Sequence, residues 1–202
     1  MSVLKQKKSS AMLIKQARQM NFTLLKAVTT VNADLVNNLG NLLQRSTAIS
    51  MNPKQKYPSF DVEVMEHELR ATGEKMVLQL KTLRDRVSDS YDKMMFYKGL
   101  ELISEAGNNA NVFFQLHKPW QMKGPELQTV LYLIYETSRI CNLLLQPIVP
   151  YYAEKSLKRL GIKEHERSLD TAILGGGPTM TLYGRPMGPE AKVMERINFK
   201  ED

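Results

Sequence analysis

The sequence lacks the features of disulfide-bonded, cysteine-zinc and membrane-spanning proteins. Its 202 residues include one cysteine, Cys141, which excludes an internal disulfide and a cysteine-based zinc site. No apolar run reaches the roughly 18 residues that a membrane-spanning helix needs. The most apolar stretch, residues 130–150, is interrupted by Glu136, Arg139 and Asn142 and is predicted to be a buried helix. With 43% hydrophobic and 24% charged residues, the chain is predicted to be globular, with no membrane partner, and its length predicts one domain or one domain with extensions.

The sequence also lacks the motifs of common catalytic and metal-binding centres. The three histidines are far apart and match no zinc-ligand spacing: His67, His117 and His165. There is no Gly-x-Ser-x-Gly elbow, no phosphate-binding loop and no Gly-x-Gly-x-x-Gly after a strand. The glycines at 175–177 have no strand before them and no helix after them, so we expect a flexible hinge there. We therefore predict no catalytic residue, no metal site and no cofactor in this chain.

The net charge of +7 is concentrated at one end of the chain. Residues 1–33 contain no acidic residue and six basic ones: Lys5, Lys7, Lys8, Lys15, Arg18 and Lys26. The other 169 residues contain 22 basic and 21 acidic residues and are therefore nearly neutral. A nucleic acid bound to this part would have to be held at a few defined points, because no broad basic surface is available.

The first 30 residues differ in composition from the rest of the chain. They are rich in Lys, Ser, Thr and Gln, and apolar residues recur at helical spacing: Leu13, Ala17, Met20 and Leu24. This composition resembles a mitochondrial transit peptide, although such peptides favour Arg over Lys. The alternative is a non-native or alternative start. We divide the chain into a basic extension (1–30), a helical domain (31–165) and a C-terminal tail (166–202).

Helical spacing of apolar residues predicts an all-α fold. Five helices are expected: about 31–49, from 66 or 74 to 87, from 91 onward with Ser88, Asp89 and Ser90 as N-cap candidates, 126–146, and 150–160. Residues 107–111 either interrupt the third helix or mark a place where side-chain amides are used. Residues 180–183 and 193–199 are weak strand candidates. Short connectors between long helices favour an antiparallel helical bundle followed by an irregular tail.

Two segments carry side chains that suit nucleic-acid binding. Residues 32–45 (NADLVNNLGNLLQR) contain Asn41 and Arg45, which lie four apart and project from one helix face. An amide and a guanidinium suit base edges and phosphates. Residues 111–120 (NVFFQLHKPW) end with the only tryptophan, Trp120, placed after a proline where its ring could stack on a partner. The plainer interpretation is a capping Asn, a surface Arg and a Trp packed into the bundle.

In this order, roughly seventy-five residues apart, the two segments resemble the anticodon-binding domain of methionyl-tRNA synthetases, with its Gly-Asn-Leu-x-x-Arg helix and Asn…Pro-Trp element. Further segments extend the resemblance over about residues 31–197: YDKMMFYKGL (91–100), LQPIVP (145–150) and LG (160–161). Others resemble the mitochondrial branch: NPKQKYP (52–58), ERSL (166–169) and YGRP (183–186). The resemblance implies a bundle of the kind that class I synthetases use to bind anticodons.

The resemblance also implies functional residues and a partner. Asn41 and Arg45 would contact anticodon bases, Trp120 would stack on one, and Asn111 would belong to the same site. The partner would be a tRNA with the methionine anticodon, in the mitochondrial matrix. In the full family, a catalytic half that precedes this domain uses ATP to activate methionine and transfers it to tRNA. A catalytic domain is therefore expected upstream, and this chain would supply tRNA recognition.

The sequence departs from the family in two places. The ATP-site motifs of the His-Ile-Gly-His and Lys-Met-Ser-Lys-Ser types are absent, and residues 5–9 (KQKKS) mimic the second only loosely. The closing Pro-Arg-Ile segment appears as Glu195, Arg196 and Ile197, which leaves the docking of the tail open. A second hypothesis is a helical protein-interaction module derived from the same domain, without RNA binding. A stand-alone enzyme has no motif in its support.

Overall fold

The structure, a computed structural model, describes residues 23–177, 180–190 and 192–198. Its helices are α1 (Leu24–Val31), a π-helical segment (Asn32–Gly40), α2 (Asn41–Ser46), α3 (Val62–His67), α4 (Arg70–Asp92), α5 (Phe96–His117), α6 (Gly124–Leu145) and α7 (Pro150–Arg159). Short 3-10 turns lie at Pro119–Gln121, Glu164–Glu166 and Leu169–Thr171. The all-α bundle is confirmed. Most of the transit-like extension, residues 1–22, lies outside the described residues.

The weak strand candidates are wrong where the structure describes them. Across the described ranges, the β pairing consists of an isolated bridge between Lys56 and Pro186, and no strand is formed. Residues 180–183 and 193–198 run without regular structure: the Thr181 carbonyl accepts a hydrogen bond from the Arg185 side chain of the tail, and the Ile197 N–H donates to the Asn32 side chain of the bundle.

Helix α6 is the centre of the bundle. From Thr129 to Leu145 every residue except Tyr132 is buried, as the apolar stretch predicts. Helices α4 and α5 pack on each other, both contact α6, and α6 also contacts α7. Cys141 lies fully buried in α6, and burial raises the pKa of its thiol to about 12, so it is an unreactive core residue.

The first helical run is longer than its apolar spacing predicts. It begins at Leu24, where the Thr23 hydroxyl caps the helix by accepting a hydrogen bond from a backbone N–H of the first turn. It ends at Ser46 instead of near residue 49. Residues 24–30, which we assigned to the basic extension, are therefore helical and lead directly into the bundle.

The middle of this run, Asn32–Gly40, is π-helical, which apolar spacing did not predict. In a π-helix each backbone carbonyl accepts a hydrogen bond from the N–H five residues on instead of four residues on. The Tyr152 hydroxyl donates to the Leu35 carbonyl oxygen at 2.9 Å. At Gly40 a Cβ atom would lie 2.6 Å from the same oxygen, so a residue without a side chain is required there.

The boundary between α4 and α5 also differs from the prediction. Ser90 does not cap a helix but lies within α4, where its hydroxyl donates to the Arg86 carbonyl at 2.9 Å. The chain turns instead at Met94, which has a left-handed φ of 59°, and α5 begins at Phe96. Residues 107–111 do not interrupt α5. The other prediction for them, that their side-chain amides make contacts, fits Asn111, whose amide bonds to the side chain of Asn38.

The C-terminal tail is irregular, as predicted, but a buried polar cluster holds it to the bundle. Glu136 and Arg139 are fully buried in α6 and form a two-point ion pair, with both N···O distances at 2.8 Å. Glu136 also accepts hydrogen bonds from the Tyr57 hydroxyl (2.7 Å) and the Gly175 backbone N–H (2.6 Å). Burial, reinforced by the charge of Glu136, raises the pKa of Tyr57 well above its usual value, so it remains a donor. We refer to these four residues as the Glu136 cluster.

The hinge predicted at residues 175–177 is wrong. All three glycines have left-handed φ angles, between 77° and 92°, and this turn brings the Gly175 N–H to Glu136. Arg139 fixes the preceding residues by donating to the carbonyl oxygens of Thr171 and Ile173. The glycines therefore allow a tight turn against a buried carboxylate, and the tail is fixed at this point.

The end of the described tail docks on the π-helical segment. The Asn32 side chain exchanges two hydrogen bonds of 2.9 Å with the backbone N–H and C=O of Ile197. Asn32 is only 6% exposed, so the contact is sheltered from water. The departure from the family pattern at residues 195–197 therefore does not prevent docking, because the backbone makes the contact.

Candidate nucleic-acid interface

An open groove of about 810 Å³ lies between the first helical run and the C-terminal half of α5. Its lining residues are Asn37, Asn41, Arg45, Asn111, Val112, Gln115, Leu116 and Lys118. Three of the four predicted site residues, Asn41, Arg45 and Asn111, are among them. No acidic residue is found in this lining, all of which belongs to the described part of the chain. We refer to this surface as the Asn41 groove.

Arg45 is held in the Asn41 groove from two sides. Its Nη2 donates to Asn111 Oδ1 at 3.1 Å, and its guanidinium carbon lies 5.1 Å from the ring centroid of Phe114. A cation over an aromatic face is attracted by the ring, and the flat contact restricts the rotation of the side chain. Because a guanidinium has five N–H donors, most of them remain available to a ligand.

The amide of Asn111 has a defined orientation. Its Nδ2 donates to Asn38 Oδ1 (2.9 Å), the Gly107 carbonyl (3.0 Å) and the Asn38 carbonyl (3.3 Å). Three acceptors around the nitrogen require that the oxygen faces the other way, toward Arg45. Asn38 is fixed in turn, because its Nδ2 donates to the Ser104 carbonyl at 3.0 Å.

Three residues of this arrangement were not predicted: Asn38, Gly107 and Phe114. Asn38 is only 6% exposed and supports Asn111 from the π-helical segment, whose register helical periodicity does not reveal. At Gly107 a Cβ atom would lie 2.7 Å from Asn38 Oδ1, so the glycine makes room for the amide contact. The available signal was the run of residues 107–111, for which the sequence left open either an interruption of the helix or a place where side-chain amides are used.

Trp120 lies beside the Asn41 groove but does not line it. It is in the 3-10 turn Pro119–Gln121 and is 51% exposed. Its ring centroid lies 6.1 Å from that of the buried Phe114, with the planes at 55°. Phe114 therefore contacts both Arg45 and Trp120 and joins the two predicted segments through one ring. The interpretation of Trp120 as a fully packed core residue does not fit its exposure.

The histidines form no metal centre in the described residues. No group of three His, Cys, Asp or Glu side chains there is arranged to hold a metal ion. His117, at the end of α5, shares a hydrogen bond of 2.8 Å with the Thr72 hydroxyl, and partial burial lowers the pKa of its imidazole. Within the same ranges, no helix is both long and apolar enough to cross a membrane.

Comparison with known proteins gives consistent relatives. No family model matches the sequence. The human mitochondrial methionine–tRNA ligase is 35% identical over 84% of this chain and 32% of its own length. The methionine–tRNA ligase of Mycobacterium tuberculosis is 30% identical over 82% of this chain and 34% of its own length.

Solved structures agree with the sequence relatives. The M. tuberculosis methionyl-tRNA synthetase in complex with methionyl-adenylate superimposes with a TM-score of 0.73 and 28% identity, covering 85% of this chain and 33% of that one. Its free form gives a TM-score of 0.76 at 27% identity, over 89% and 36%. The chain thus spans about one third of the length of the relatives that it matches. By sequence and by fold, it belongs to the methionine–tRNA ligase family.

Proposed function

We propose that this chain recognises the anticodon of a methionine tRNA, as the RNA-binding part of a mitochondrial methionine–tRNA ligase. The observation that carries the proposal is the Asn41 groove, in which exposed amides and an oriented arginine lie next to a half-exposed tryptophan. Anticodon bases are unpaired, so they offer both their hydrogen-bonding edges and their flat faces to a protein. The Asn41 groove supplies hydrogen-bonding partners for the base edges, and the Trp120 ring supplies a stacking surface for the base faces.

The side chains divide these tasks by their chemistry. Asn41 is exposed, and its amide can donate to and accept from one base edge. Arg45 offers a planar set of donors that Asn111 and Phe114 have already oriented, so less side-chain entropy is lost on binding. Trp120 offers a ring face on which any base can stack. Recognition of base identity is therefore assigned to the groove, and affinity largely to the ring.

The remaining parts of the proposal rest on the relatives. Proteins named mitochondrial methionine–tRNA ligases are among those that the chain resembles, and the basic residues 1–33 suit a mitochondrial protein. Activation of methionine with ATP is assigned to a catalytic domain of the same synthetase, because the groove has no carboxylate or phosphate-binding loop for that chemistry. The assigned location is the mitochondrial matrix.

The test is binding of an RNA stem-loop with the methionine anticodon to the full 202-residue chain. Arg45→Gln removes the oriented cation from the groove, and we expect binding to weaken at least several-fold. Arg84→Gln is the matched control, because Arg84 lies on α4 outside the groove and pairs with its neighbour Asp85. Equal loss in both variants, or no binding by the wild-type chain, would favour the protein-interaction hypothesis instead.

A further inference from the structure

A lysine takes a left-handed conformation at the edge of the Asn41 groove. Lys118 ends α5 with φ 47° and ψ 57°, a position that most often holds glycine because L-residues are strained there. It also precedes Pro119, whose ring restricts the conformation of the residue before it. Residues that stay in such conformations cluster at functional sites, so the side chain of Lys118 is a candidate for use.

The ammonium group of Lys118 is available to a ligand. It is exposed and makes no hydrogen bond or ion pair with any residue in the described ranges, whereas Lys93, at the end of α4, pairs with Asp89. No acidic side chain lines the groove to neutralise it. The other cation of the lining, Arg45, is already held by Asn111 and Phe114. The groove therefore has one oriented cation and one that is not engaged.

We propose that Lys118 is the phosphate-binding residue of this surface, contacting the RNA backbone of the anticodon loop. The inference rests on the proposed function and deepens it. A lysine ammonium is a compact charge without a preferred hydrogen-bonding plane, which suits a phosphate better than a base edge. Lys118 precedes the 3-10 turn that contains Trp120, so the two residues lie close together along the backbone. The long side chain of Lys118 can therefore reach toward the backbone of a nucleotide stacked on Trp120.

The test combines RNA binding at several salt concentrations with thermal unfolding of the full chain. Lys118→Gln removes the charge, Lys118→Arg keeps it, and Lys118→Gly removes the side chain and the backbone strain together. Lys123→Gln is the matched control, because Lys123 is exposed in the same connector but does not line the groove. The probes are two stem-loops, one with the methionine anticodon and one with a single altered base.

In Lys118→Gln we expect several-fold weaker binding of both stem-loops by the same factor, and a salt slope shallower by about 0.7–1. Lys118→Arg should restore the slope. In Lys118→Gly we expect weaker binding together with a Tm equal to or above the wild-type value, because glycine tolerates the left-handed conformation but has no ammonium group. If Lys118 had only a structural role, binding would not weaken while the Tm is kept or raised. Lys123→Gln should match wild type.

Three results would overturn the inference. If the Lys118 variants bind like wild type while Arg45→Gln loses affinity, the inference is wrong and the proposed function stands. If Lys118→Gln changes the preference between the two stem-loops, the residue reads a base and not a phosphate. If the wild-type chain binds neither stem-loop, the proposed function fails and this inference fails with it.

Discussion

Two arginines of this protein lie in polar surroundings of opposite character. Arg139 is completely buried, and its guanidinium donates to both carboxylate oxygens of Glu136 and to two backbone carbonyls of the tail. Arg45 is exposed and donates to one side-chain oxygen, that of Asn111. The first arginine has its bonding capacity filled by the protein, and the second has most of it free.

The difference shows how to separate structural from functional polar residues here. A charge removed from water must be paired and hydrogen-bonded inside the protein, or folding becomes unfavourable. An exposed charge has no such requirement, so its remaining donors are satisfied by water until a ligand replaces the water. The Glu136 cluster therefore explains why the tail is fixed, and the Asn41 groove is where a ligand can gain new bonds.

The largest expected effect is on the buried arginine. Glu136→Gln leaves Arg139 charged, buried and poorly paired, which should lower the free energy of unfolding by roughly 3–5 kcal/mol. For a chain of this size that corresponds to a Tm lower by roughly 6–20 °C, measured by circular dichroism. The double variant Glu136→Leu with Arg139→Met removes the unpaired charge but leaves the Tyr57 hydroxyl and the Gly175 N–H without their acceptor, so it should recover only part of the loss. A wild-type Tm in Glu136→Gln would show that the Glu136 cluster does not stabilise the fold.

The second effect concerns Asn38, which is buried yet supports the groove. Asn38→Ala removes an acceptor from Asn111 and should lower the free energy of unfolding by about 1–3 kcal/mol. It should also weaken RNA binding, because Asn111 no longer orients Arg45. Asn108→Ala, at an exposed position of α5 outside the Asn41 groove, is the control and should change stability by less than about 0.5 kcal/mol. Unchanged RNA binding in Asn38→Ala would show that the support of Asn111 by Asn38 matters for stability but not for RNA binding.

The third effect is confined to binding. Trp120→Ala should weaken stem-loop binding by about tenfold, since stacking contributes roughly 1–3 kcal/mol per base. Its Tm should stay close to the wild-type value, because half of the side chain is already in water. Tyr183→Ala, an aromatic residue that is 69% exposed in the tail, is the matched control for binding. A large fall in Tm without loss of binding would place Trp120 with the structural residues.

The smallest expected effect is a pH dependence of the stability, which comes from the ion pair of Glu166 with a third arginine, Arg185. Partial burial disfavours the charge of Glu166, but hydrogen bonds from Arg185 and the Lys163 backbone N–H outweigh it, and the pKa of Glu166 is lowered. A lowered folded-state pKa means that this pair stabilises the fold above the unfolded value of 4.5 and that the stabilisation is lost as pH falls through the folded value. Unfolding measured between pH 7 and 3 should show this loss, and Glu166→Gln should show less of it.

Local sequence patterns predicted the elements, whereas contacts between distant parts were not predicted. The apolar run of α6 predicted a buried helix, and Glu136 and Arg139 were recognisable as charged residues within that apolar run. Their partners lie more than thirty residues away at Thr171 and Gly175, and no spacing rule connects such distant positions. For that reason the three glycines were expected to form a hinge, although they form a fixed turn.

The candidate site was predictable where it depends on one helix. Asn41 and Arg45 lie four residues apart, and that spacing alone placed them on one face. The resemblance to a known family connected them to Trp120. The supporting contacts of Asn38 and Phe114 were not predictable, because they depend on the π-helical register and on a ring shared between segments.

The most direct test of the central claim is competition between two stem-loops for the wild-type chain and for Asn41→Ala. One stem-loop carries the methionine anticodon, and the other differs from it by one anticodon base. We expect the wild-type chain to prefer the first by roughly fivefold or more, as base-edge contacts do, and Asn41→Ala to lose most of that preference while still binding RNA. Equal affinity of the wild-type chain for both stem-loops would contradict the assignment of the Asn41 groove as an anticodon-reading surface.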